Sequence, residues 1–498
     1  MYKTSVISKQ QDHPNANDRH ELGENPKRQK RIDPENIFSN LPRKPQQNRV
    51  IVVSNRLENP EQQTKGGLAV SVKEALFEKE SIWLGWSGKI SETKPRKPSF
   101  TQYNKTVMMQ IDLTQKEHDN YYLGYCNATL WPGMHQQAQK IVFKPEYYSG
   151  YIDVNRTFSN YLRPLLNPED IIWIHDFHLS AIAKELRAVG CKQKMGFFNH
   201  ISFPEVNEFK KIPHYKQFAE NLLSFDLVGM QTTNDAKNFK NYLSNTEIDK
   251  NTYINLKKNG IYNIKTFPIG ISIRNFLSSN TATEQHSIIN FIKKEAKYKT
   301  IMLGVERLDY IKGIKYKFRA LDVFLEKRPE FKERLILLQI APFSREKIPT
   351  YQKLISKTQK IADGVNKKHC TKIWNPIIYS NQHIPRQALP TLYKTSDICV
   401  VNSNLEGMNL VAKEYIASQD EKNPGTLILS KGAGAAEQLN EAILVPPKNT
   451  NALSDAYEKA LHISLTERQE RHKKLLSNVQ NESLEKWAEN YLDALYKA

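Results

Sequence analysis

Short apolar runs recur along this chain, and most of them are followed by polar residues and then by an amphipathic segment. Three clear examples are residues 49–56 (RVIVVSNR), 171–175 (IIWIH) and 398–401 (ICVV). Near-continuous apolar runs of this length are typical of parallel strands that are buried on both faces. Because strands that alternate with helices build parallel sheets, the pattern predicts an α/β chain with doubly wound sheets.

The same alternation predicts the positions of the other strands and of two helices. Strands are predicted at residues 82–86, 107–111, 195–199, 227–231, 300–305, 335–340, 373–379 and 426–429, and helices at 179–189 and 232–243. Polar side chains fall where three of the strands end, at Arg56, Asp176 and His200. Ligands of such sheets bind beyond the carboxyl ends of the strands, so we expect a site there.

The chain is long enough, at 498 residues, to form two domains with separate cores. Proline and glycine interrupt the pattern at residues 267–273 (FPIGISI), and polar sequence follows to about Gln285. We therefore predict a first domain at residues 49–275 and a second at 276–498. A helical tail is predicted to close the second domain from about Leu465.

The chain is basic, with 72 Lys and Arg against 53 Asp and Glu and a net charge of +19. A nucleic-acid surface and a surface suited to anionic small molecules are alternative explanations. The charge is spread along the chain, and no helix-turn-helix, zinc-finger or RNA-recognition motif is present, so we expect no nucleic-acid partner. Residues 1–48 have few apolar side chains and are predicted to be a disordered extension. Their basic run at 27–31 (KRQKR) is interpreted as solvated, with a localisation signal as the alternative.

The cysteines and the hydropathy pattern bear on the cellular compartment of the protein. The four cysteines form no CxxC motif and are widely spaced, at Cys126, Cys191, Cys370 and Cys399. A disulfide framework is not expected in a chain of this size. No apolar run is long enough to span a membrane, and the N-terminus does not resemble a signal peptide. We expect a cytoplasmic protein without a membrane partner.

Residues 403–415 (SNLEGMNLVAKEY) follow the predicted strand at 398–401 and predict a turn with a helix that begins near Met408. A helix N-terminus at a strand end offers unpaired N–H groups to an anion. Glu406 and Glu414 are eight positions apart, slightly over two helical turns, so both side chains could face one pocket. Two carboxylates suit the vicinal hydroxyls of a sugar or ribose. The alternative is a loop charge and a solvated helix residue.

Arg307 and Lys312 follow the predicted strand at 300–305 and could together neutralise a diphosphate. The alternative is a surface ion pair of Arg307 with Asp309 or Glu306. The chain has no Walker sequence, no GxGxxG and no DxD, so we expect no metal and no other cofactor. The pair Gly66-Gly67 after the first strand would let backbone approach a phosphate, with a plain tight turn as the alternative.

Nine segments, taken in order, resemble the motifs of the trehalose-6-phosphate synthase family, which comprises retaining glycosyltransferases of GT-B architecture. They are VVSNR (52–56), GGLAV (66–70), WLGWSG (83–88), LWPGMH (130–135), IIWIHDFHL (171–179), GFFNHISFP (196–204), VERLDYIKG (305–313), QIAPFSR (339–345) and EGMNLVAKEY (406–415). The resemblance runs from about residue 49 to the end of the chain. It implies two facing Rossmann-like domains with a cleft between them.

The resemblance also implies an activity: transfer of glucose from UDP-glucose, or another nucleoside-diphosphate glucose, to glucose 6-phosphate with retention. The first domain would bind the acceptor and the second the nucleotide sugar. The implied acceptor residues are Arg56, Trp86, Tyr122, Trp131, Asp176 and Arg345, with Arg56, Tyr122 and Arg345 on the phosphate. Two guanidiniums and a phenol suit a phosphate dianion.

The implied donor residues come mainly from the second domain. They are Gly66, Gly67, His200, Arg307, Lys312, Ile384, Glu406, Asn409, Leu410, Val411, Ala412, Lys413 and Glu414. The catalytic set is expected to be Asp176, His200, Arg307, Lys312 and Glu406. The family usually has Asp, often after Arg, where this chain has Leu405-Glu406. The longer side chain must remake the hydrogen bond to the donor sugar.

The sequence leaves several alternatives open. Within the family, the acceptor could differ, as in glucosylglycerol-phosphate synthases, or the product could be the C–N bond of a pseudo-glycosyltransferase. A non-catalytic subunit of a trehalose-synthesising complex is the alternative from another class. We expect a homo-oligomer, and no phosphatase motif follows the second domain, so a separate phosphatase is expected to act on the product.

Overall fold

The computed structural model describes residues 49–57, 80–92, 97–245, 263–278, 287–346 and 348–498, together with the backbone of 30–31. Within these ranges the strands form two sheets. The expected α/β class is confirmed. The pair Gly66-Gly67 lies outside the described residues.

The first sheet has nine strands among the described residues and is parallel except at one edge. In spatial order they are Lys30–Arg31, Ser99–Tyr103, Thr106–Thr114, Ser81–Ser91, Val50–Arg56, Ile171–His175, Lys194–Phe198, Leu227–Met230 and Ile264–Thr266. The sequence pattern missed the antiparallel strand Ser99–Tyr103. Residues 30–31, which we expected to be disordered, pair with that strand. The rest of 1–48 lies outside the described residues.

The second sheet has six parallel strands in the described part of the chain. In spatial order they are Ile377–Ser380, Leu335–Ile340, Thr300–Val305, Ile398–Val401, Thr426–Ser430 and Ile443–Val445. Three of them have the predicted bounds, whereas the strand predicted at 373–379 begins only at Ile377. Every residue of Leu335–Ile340 and Ile398–Val401 is buried, as a parallel sheet covered on both faces requires.

Helices connect the strands. The α-helices are Gln115–Glu117, Trp131–Met134, Pro145–Leu162, Ile182–Ala188, Val206–Phe209, Tyr215–Leu222, Thr233–Asn245, Ile273–Ser278, Ser287–Glu295, Ile314–Lys327, Pro349–His369, Leu389–Lys394, Leu410–Ser418, Thr450–His462, Leu465–Asn481 and Leu484–Tyr496. A π-helix spans His118–Leu130, and 3₁₀ turns span Ala138–Lys140, Arg163–Leu165, Phe177–Leu179, Pro329–Phe331, Arg386–Ala388 and Gly434–Glu437. The helix expected near Met408 begins at Leu410, because the Asn409 side chain caps it.

The last helix, Leu484–Tyr496, crosses back to the first sheet. The Tyr491 ring stacks on Trp173 at 4.7 Å between centroids, and Trp487 lies 5.1 Å from Phe198. These rings belong to a buried apolar cluster that covers one face of the first sheet. The last helix of the tail that we assigned to the second domain therefore completes the core of the first, whereas Leu465–Asn481 packs on the core of the second. The boundary at residue 275 stays a prediction.

Candidate active site

A cleft of about 520 Å³ lies where the carboxyl ends of the strands of the two sheets face each other. Thirteen of the predicted site residues line it: Tyr122, Trp131, Asp176, His200, Arg307, Lys312, Arg345, Ile384, Glu406, Asn409, Leu410, Val411 and Glu414. Strand ends far apart in the chain thus meet at one place, as the doubly wound topology requires. Gly407 sits where the two halves touch, because a Cβ there would lie 2.4 Å from the carbonyl oxygen of His200.

Arg345 connects the two sides of the cleft. Its Nη1 atom donates to Oδ2 of Asp309 at 2.6 Å and to the Tyr351 hydroxyl at 2.9 Å. Its Nε atom donates to Oδ1 of Asn127 at 2.7 Å, and the guanidinium carbon lies 4.0 Å from the Trp131 ring centroid. Because these contacts already fix the guanidinium, it loses little conformational entropy when it binds an anion.

Arg56 and Trp86 lie beside the cleft without lining it. The Arg56 guanidinium carbon is 5.5 Å from the Trp86 ring centroid, and that ring is 5.6 Å from Tyr122. Arg56 is exposed, and its side chain has no hydrogen-bond or ion-pair partner among the described residues. These residues continue the acceptor side outward from Tyr122.

Asp176 closes the strand Ile171–His175 and lies at the base of the cleft with only 7% of its surface exposed. Burial raises its pKa to about 7, although the N–H groups of Phe177 and His200 and the charge of Arg345 oppose the shift. Its φ of 73° is in the left-handed region, which an Asp adopts at a cost. A strained, buried carboxylate beside a cationic side chain is typical of a functional position.

The imidazoles near Asp176 are neutral. Burial lowers the pKa of both His175 and His178 to about 3. The pKa of His200 is also well below its ordinary value, first through burial and then through His175. The Nε2 atom of His200 lies 2.9 Å from Nδ1 of His175. The cationic charge of the cleft is therefore carried by arginine and lysine.

Arg307 projects into the cleft from the loop after Thr300–Val305. Its side chain is accessible to solvent, yet desolvation by the cleft walls and the charge of Arg345 both lower its pKa. No ion pair of Arg307 occurs among the described residues, which contradicts the alternative of a simple surface pair. Instead Glu306 pairs with the buried Lys317 and Asp309 pairs with Arg345.

Lys312 and Glu406 form an ion pair at the cleft. The other carboxylate oxygen of Glu406 accepts from the Ser403 hydroxyl at 2.5 Å and from Nδ2 of Asn409 at 2.6 Å. Glu406 is thus a buried carboxylate that accepts from three donors. Its side chain is one methylene longer than that of aspartate, and this length lets the carboxylate reach all three. Lys312 keeps further N–H donors for a ligand, since an ammonium has three.

The helix Leu410–Ser418 directs its N-terminus at the cleft. Asn409 caps it by accepting from the N–H of Ala412 at 2.9 Å. Glu414, one turn further on, accepts from the Tyr393 hydroxyl at 3.2 Å. The expectation that Glu406 and Glu414 face one pocket is confirmed.

Ala412 and Lys413, which the resemblance placed at the donor, do not line the cleft. Ala412 is fully buried on the far side of its helix. The Nζ atom of Lys413, with 1% of the residue exposed, donates to the carbonyl oxygen of Ile269 at 2.7 Å, and burial lowers the pKa of this amine to about 7. This correction follows from helical geometry, since consecutive residues point in different directions and only some face the ligand.

Sequence reasoning missed other residues of the cleft and its supports. His135, His178 and Gln231 line it, and Asn127, Asp309 and Tyr351 hold Arg345. Asp309 was quoted within a motif but interpreted only as an ion-pair partner. Asn127 had no signal, because its partner is 218 positions away in the chain.

The family model "Glycosyltransferase family 20" matches residues 37–497, and the chain belongs to that family. The trehalose-6-phosphate synthase of Cronobacter sakazakii is 36% identical over 456 residues, covering 90% of this chain and 95% of that protein. The Escherichia coli trehalose-6-phosphate enzyme bound with UDP-2-fluoro glucose superimposes with a TM-score of 0.83 at 34% identity, covering 90% of this chain and 99% of the other. The UDP-forming synthase of Burkholderia xenovorans in complex with glucose-6-phosphate gives 0.83 at 32% identity, with 90% and 100% covered. The suspected family and the expected two-domain GT-B arrangement are confirmed.

Two properties of the described residues bear on metal ions and membranes. No cluster of three or more His, Cys, Asp or Glu side chains suited to a metal ion occurs in these residues. No helix of the described ranges is long and apolar enough to cross a membrane.

Proposed function

We propose that this chain synthesises α,α-trehalose 6-phosphate by transferring glucose from UDP-glucose to glucose 6-phosphate with retention. The observation that carries the proposal is one cleft that brings four cations together as two pairs. Arg345, with Arg56 at the rim, suits one phosphate, and Arg307 with Lys312 suits a diphosphate. The related structures bound with a UDP-2-fluoro glucose and with glucose-6-phosphate support this pairing of substrates.

The acceptor side orients glucose 6-phosphate. Arg345, Tyr122 and Arg56 hold the phosphate, while Asp176 accepts hydrogen bonds from sugar hydroxyls and Trp131 covers a face of the ring. Holding the acceptor at both ends converts the reaction into an effectively unimolecular step. Plain glucose lacks the group that the clamp binds.

The donor side stabilises the departing UDP. Glu414 accepts from the ribose hydroxyls, the backbone at Ile384 meets the base, and the N–H groups of Leu410 and Val411 face the diphosphate. Glu406 accepts from hydroxyls of the transferred glucose. As the anomeric bond breaks to an oxocarbenium-like state, Arg307 and Lys312 stabilise the negative charge on the leaving diphosphate. The acceptor hydroxyl attacks the anomeric carbon from the face that the diphosphate leaves, which gives retention. It passes its proton to an oxygen of the departing phosphate.

We also propose that the donor is UDP-glucose rather than GDP- or ADP-glucose and that the reaction needs no metal. The proposal includes a cytoplasmic location and a homo-oligomer. The product keeps its phosphate, and a phosphatase on another protein would remove it. We propose no nucleic-acid partner, and a gel shift with DNA or RNA at low salt checks this, since such binding is salt-sensitive.

The experiment incubates the purified full chain with glucose 6-phosphate and UDP-, GDP- or ADP-glucose, with and without EDTA. We expect UDP release from UDP-glucose in both conditions, and an α,α-1,1 linkage in the product by NMR. Efficient use of plain glucose would contradict the phosphate clamp. A different product from the same donor would favour another acceptor within the family, and no turnover would favour the non-catalytic subunit.

A further inference from the structure

A chain of hydrogen bonds runs behind the cleft from the first sheet to the helix Leu410–Ser418. The Nε2 atom of His200 lies 2.9 Å from Nδ1 of His175, and its Nδ1 atom lies 3.4 Å from Nε2 of Gln231. The N–H of Ile269 donates to Oε1 of Gln231 at 3.0 Å, and the carbonyl of Ile269 accepts from the Lys413 ammonium at 2.7 Å. No proposed catalytic step uses His175, Gln231 or Lys413.

The order of donors and acceptors along these hydrogen bonds fixes the tautomer of His200. The backbone N–H of Ile269 can only donate, so the atom of Gln231 that it meets is the carbonyl oxygen. The other end of the Gln231 amide is then NH₂, which faces Nδ1 of His200. Nδ1 must accept, and the proton of the neutral ring therefore lies on Nε2, where it donates to Nδ1 of His175.

The opposite arrangement is excluded by donor conflict. If His200 carried its proton on Nδ1, two donors would face each other between His200 and Gln231. A cationic His200 would produce the same conflict and would also carry a charge in a buried position. Only one neutral tautomer satisfies both of its neighbours.

Ile269 belongs to the segment where the chain crosses between the sheets. Gly270, the next residue, packs against Glu482, where the chain returns toward the first sheet. The approach is so close that a Cβ on Gly270 would lie 1.9 Å from the carbonyl oxygen of Glu482. The Ile269 peptide is therefore held in place by backbone packing, by Gln231 on one side and by Lys413 on the other. Because Lys413 lies on the helix that carries Glu414, movement of that helix acts on the support of His200.

We propose that Gln231 and Lys413 are positioning residues that hold His200 as the neutral imidazole with its proton on Nε2. The proposal rests on the place of His200 beside the transferred glucose in the proposed function. A neutral ring suits that place, because an imidazolium there would oppose the positive charge that develops at the anomeric carbon. Lys413 thereby acts on the donor side without touching the donor.

The test uses three variants of the full chain. Gln231→Glu keeps an acceptor for Ile269 but presents an oxygen to Nδ1 of His200, which favours a proton on Nδ1. Gln231→Met removes both hydrogen bonds at similar volume, and Lys413→Met removes the ammonium. Gln359→Glu is the matched control, since Gln359 lies on the exposed face of another helix and bonds only to Asp363 in the described structure.

Nitrogen NMR of ¹⁵N-histidine protein, with the His200 signals assigned by a His200→Asn variant, reads the tautomer without turnover. We expect the Nε2–H form in the parent and in Gln359→Glu, and a protonated Nδ1 in Gln231→Glu. The kcat should fall about tenfold to a hundredfold in Gln231→Glu, and less in the two Met variants, with the KM for glucose 6-phosphate unchanged.

Each outcome decides a separate claim. A parent protein with the proton on Nδ1 of His200 overturns the proposal, as does a Gln231→Glu variant with an unchanged tautomer. Variants that shift the tautomer but keep full kcat show that the ring state does not matter to catalysis, which also overturns it. If the parent has no synthase activity but the tautomers behave as expected, the proposed function fails while the hydrogen-bond chain stands.

Discussion

The Nε atom of Arg345 donates a 2.7 Å hydrogen bond to Oδ1 of Asn127, which joins the loop after a strand of the second sheet to the π-helix that packs on the first. Asn127 in turn donates through Nδ2 to the carbonyl of Tyr122 at 2.7 Å. One amide thereby links two residues that we assign to the acceptor phosphate. The clamp spans the cleft, so its geometry depends on the approach of the two sheets.

Asn127→Ala should weaken acceptor binding more than it slows turnover. Arg345 keeps its bonds to Asp309 and Tyr351 but loses its tie across the cleft. A hydrogen bond to a charged group contributes about 1.5 kcal/mol, which corresponds to a rise of about tenfold in the KM for glucose 6-phosphate. Asn478→Ala is the control, since Asn478 donates to the Gln438 carbonyl away from the cleft. An unchanged KM in a folded Asn127→Ala protein would show that the tie is incidental.

Arg307→Ala should abolish most turnover, because the leaving diphosphate loses a cation that faces it. Loss of one preorganised charge of this kind costs about 10²- to 10³-fold in kcat. Steady-state UDP release measures it, and Arg307→Lys should recover part of the rate through its point charge. Arg319→Ala, on an exposed face of Ile314–Lys327, is the control for a lost positive charge. Equal rates in Arg307→Ala and Arg319→Ala would remove Arg307 from the mechanism.

Arg56→Ala should distinguish phosphorylated from plain acceptor. The residue is exposed beside Trp86, so its removal takes a phosphate contact without disturbing the buried core. We expect kcat/KM for glucose 6-phosphate to fall about tenfold, while the slow reaction with glucose stays constant. Parallel assays with the two acceptors measure the ratio. A proportional fall with both would mean that Arg56 acts on the fold or on another step.

Asp176→Asn should stabilise the fold in alkaline solution while it impairs the reaction. The carboxyl ionises near its ordinary pKa of 3.8 in the unfolded chain and at about 7 in the folded one, so the folded state binds the extra proton between these values. The stability that this proton gives is present at low pH and is lost as the pH rises through about 7. The variant lacks this loss, and asparagine has nearly the same side-chain shape as the aspartate that already adopts φ 73° and ψ 160° at this position.

Urea unfolding at pH 5 and pH 8 measures that difference. Relative to the parent, Asp176→Asn should gain about 2 kcal/mol in unfolding free energy between the two pH values. The kcat should fall at both. The assignment of a buried, proton-binding carboxyl at Asp176 fails if the difference between the two proteins does not change with pH.

Glu406→Asp tests whether the longer side chain is integrated into this site. The three donors Lys312, Ser403 and Asn409 converge on a glutamate carboxylate, and a shorter side chain cannot reach all of them. We expect kcat/KM for UDP-glucose to fall about tenfold, with the KM for glucose 6-phosphate little changed. Glu421→Asp in an exposed turn is the control. Higher activity of Glu406→Asp would show instead that the glutamate is a defect in this chain.

Most strands of the two sheets could be predicted because burial on both faces leaves a direct record in the sequence, whereas the three-residue strands Ile264–Thr266 and Ile443–Val445 were missed. Ile171–His175, Leu335–Ile340 and Ile398–Val401 were found at their observed bounds. The antiparallel strand Ser99–Tyr103 escaped because it alternates buried and accessible residues over a short length. Helix starts shifted where a side-chain cap such as Asn409 decides the first turn.

By itself the sequence determined the class of fold and the chemical character of the site, because apolar periodicity and polar strand ends are local properties. Only the tertiary structure decided which side chains meet. It separated Lys413 from Glu414, although they are adjacent in the chain, because successive helix positions face different ways. It also brought Asn127 to Arg345 and Gln231 to His200, since hydrogen bonds between distant residues follow from packing and leave no trace in spacing.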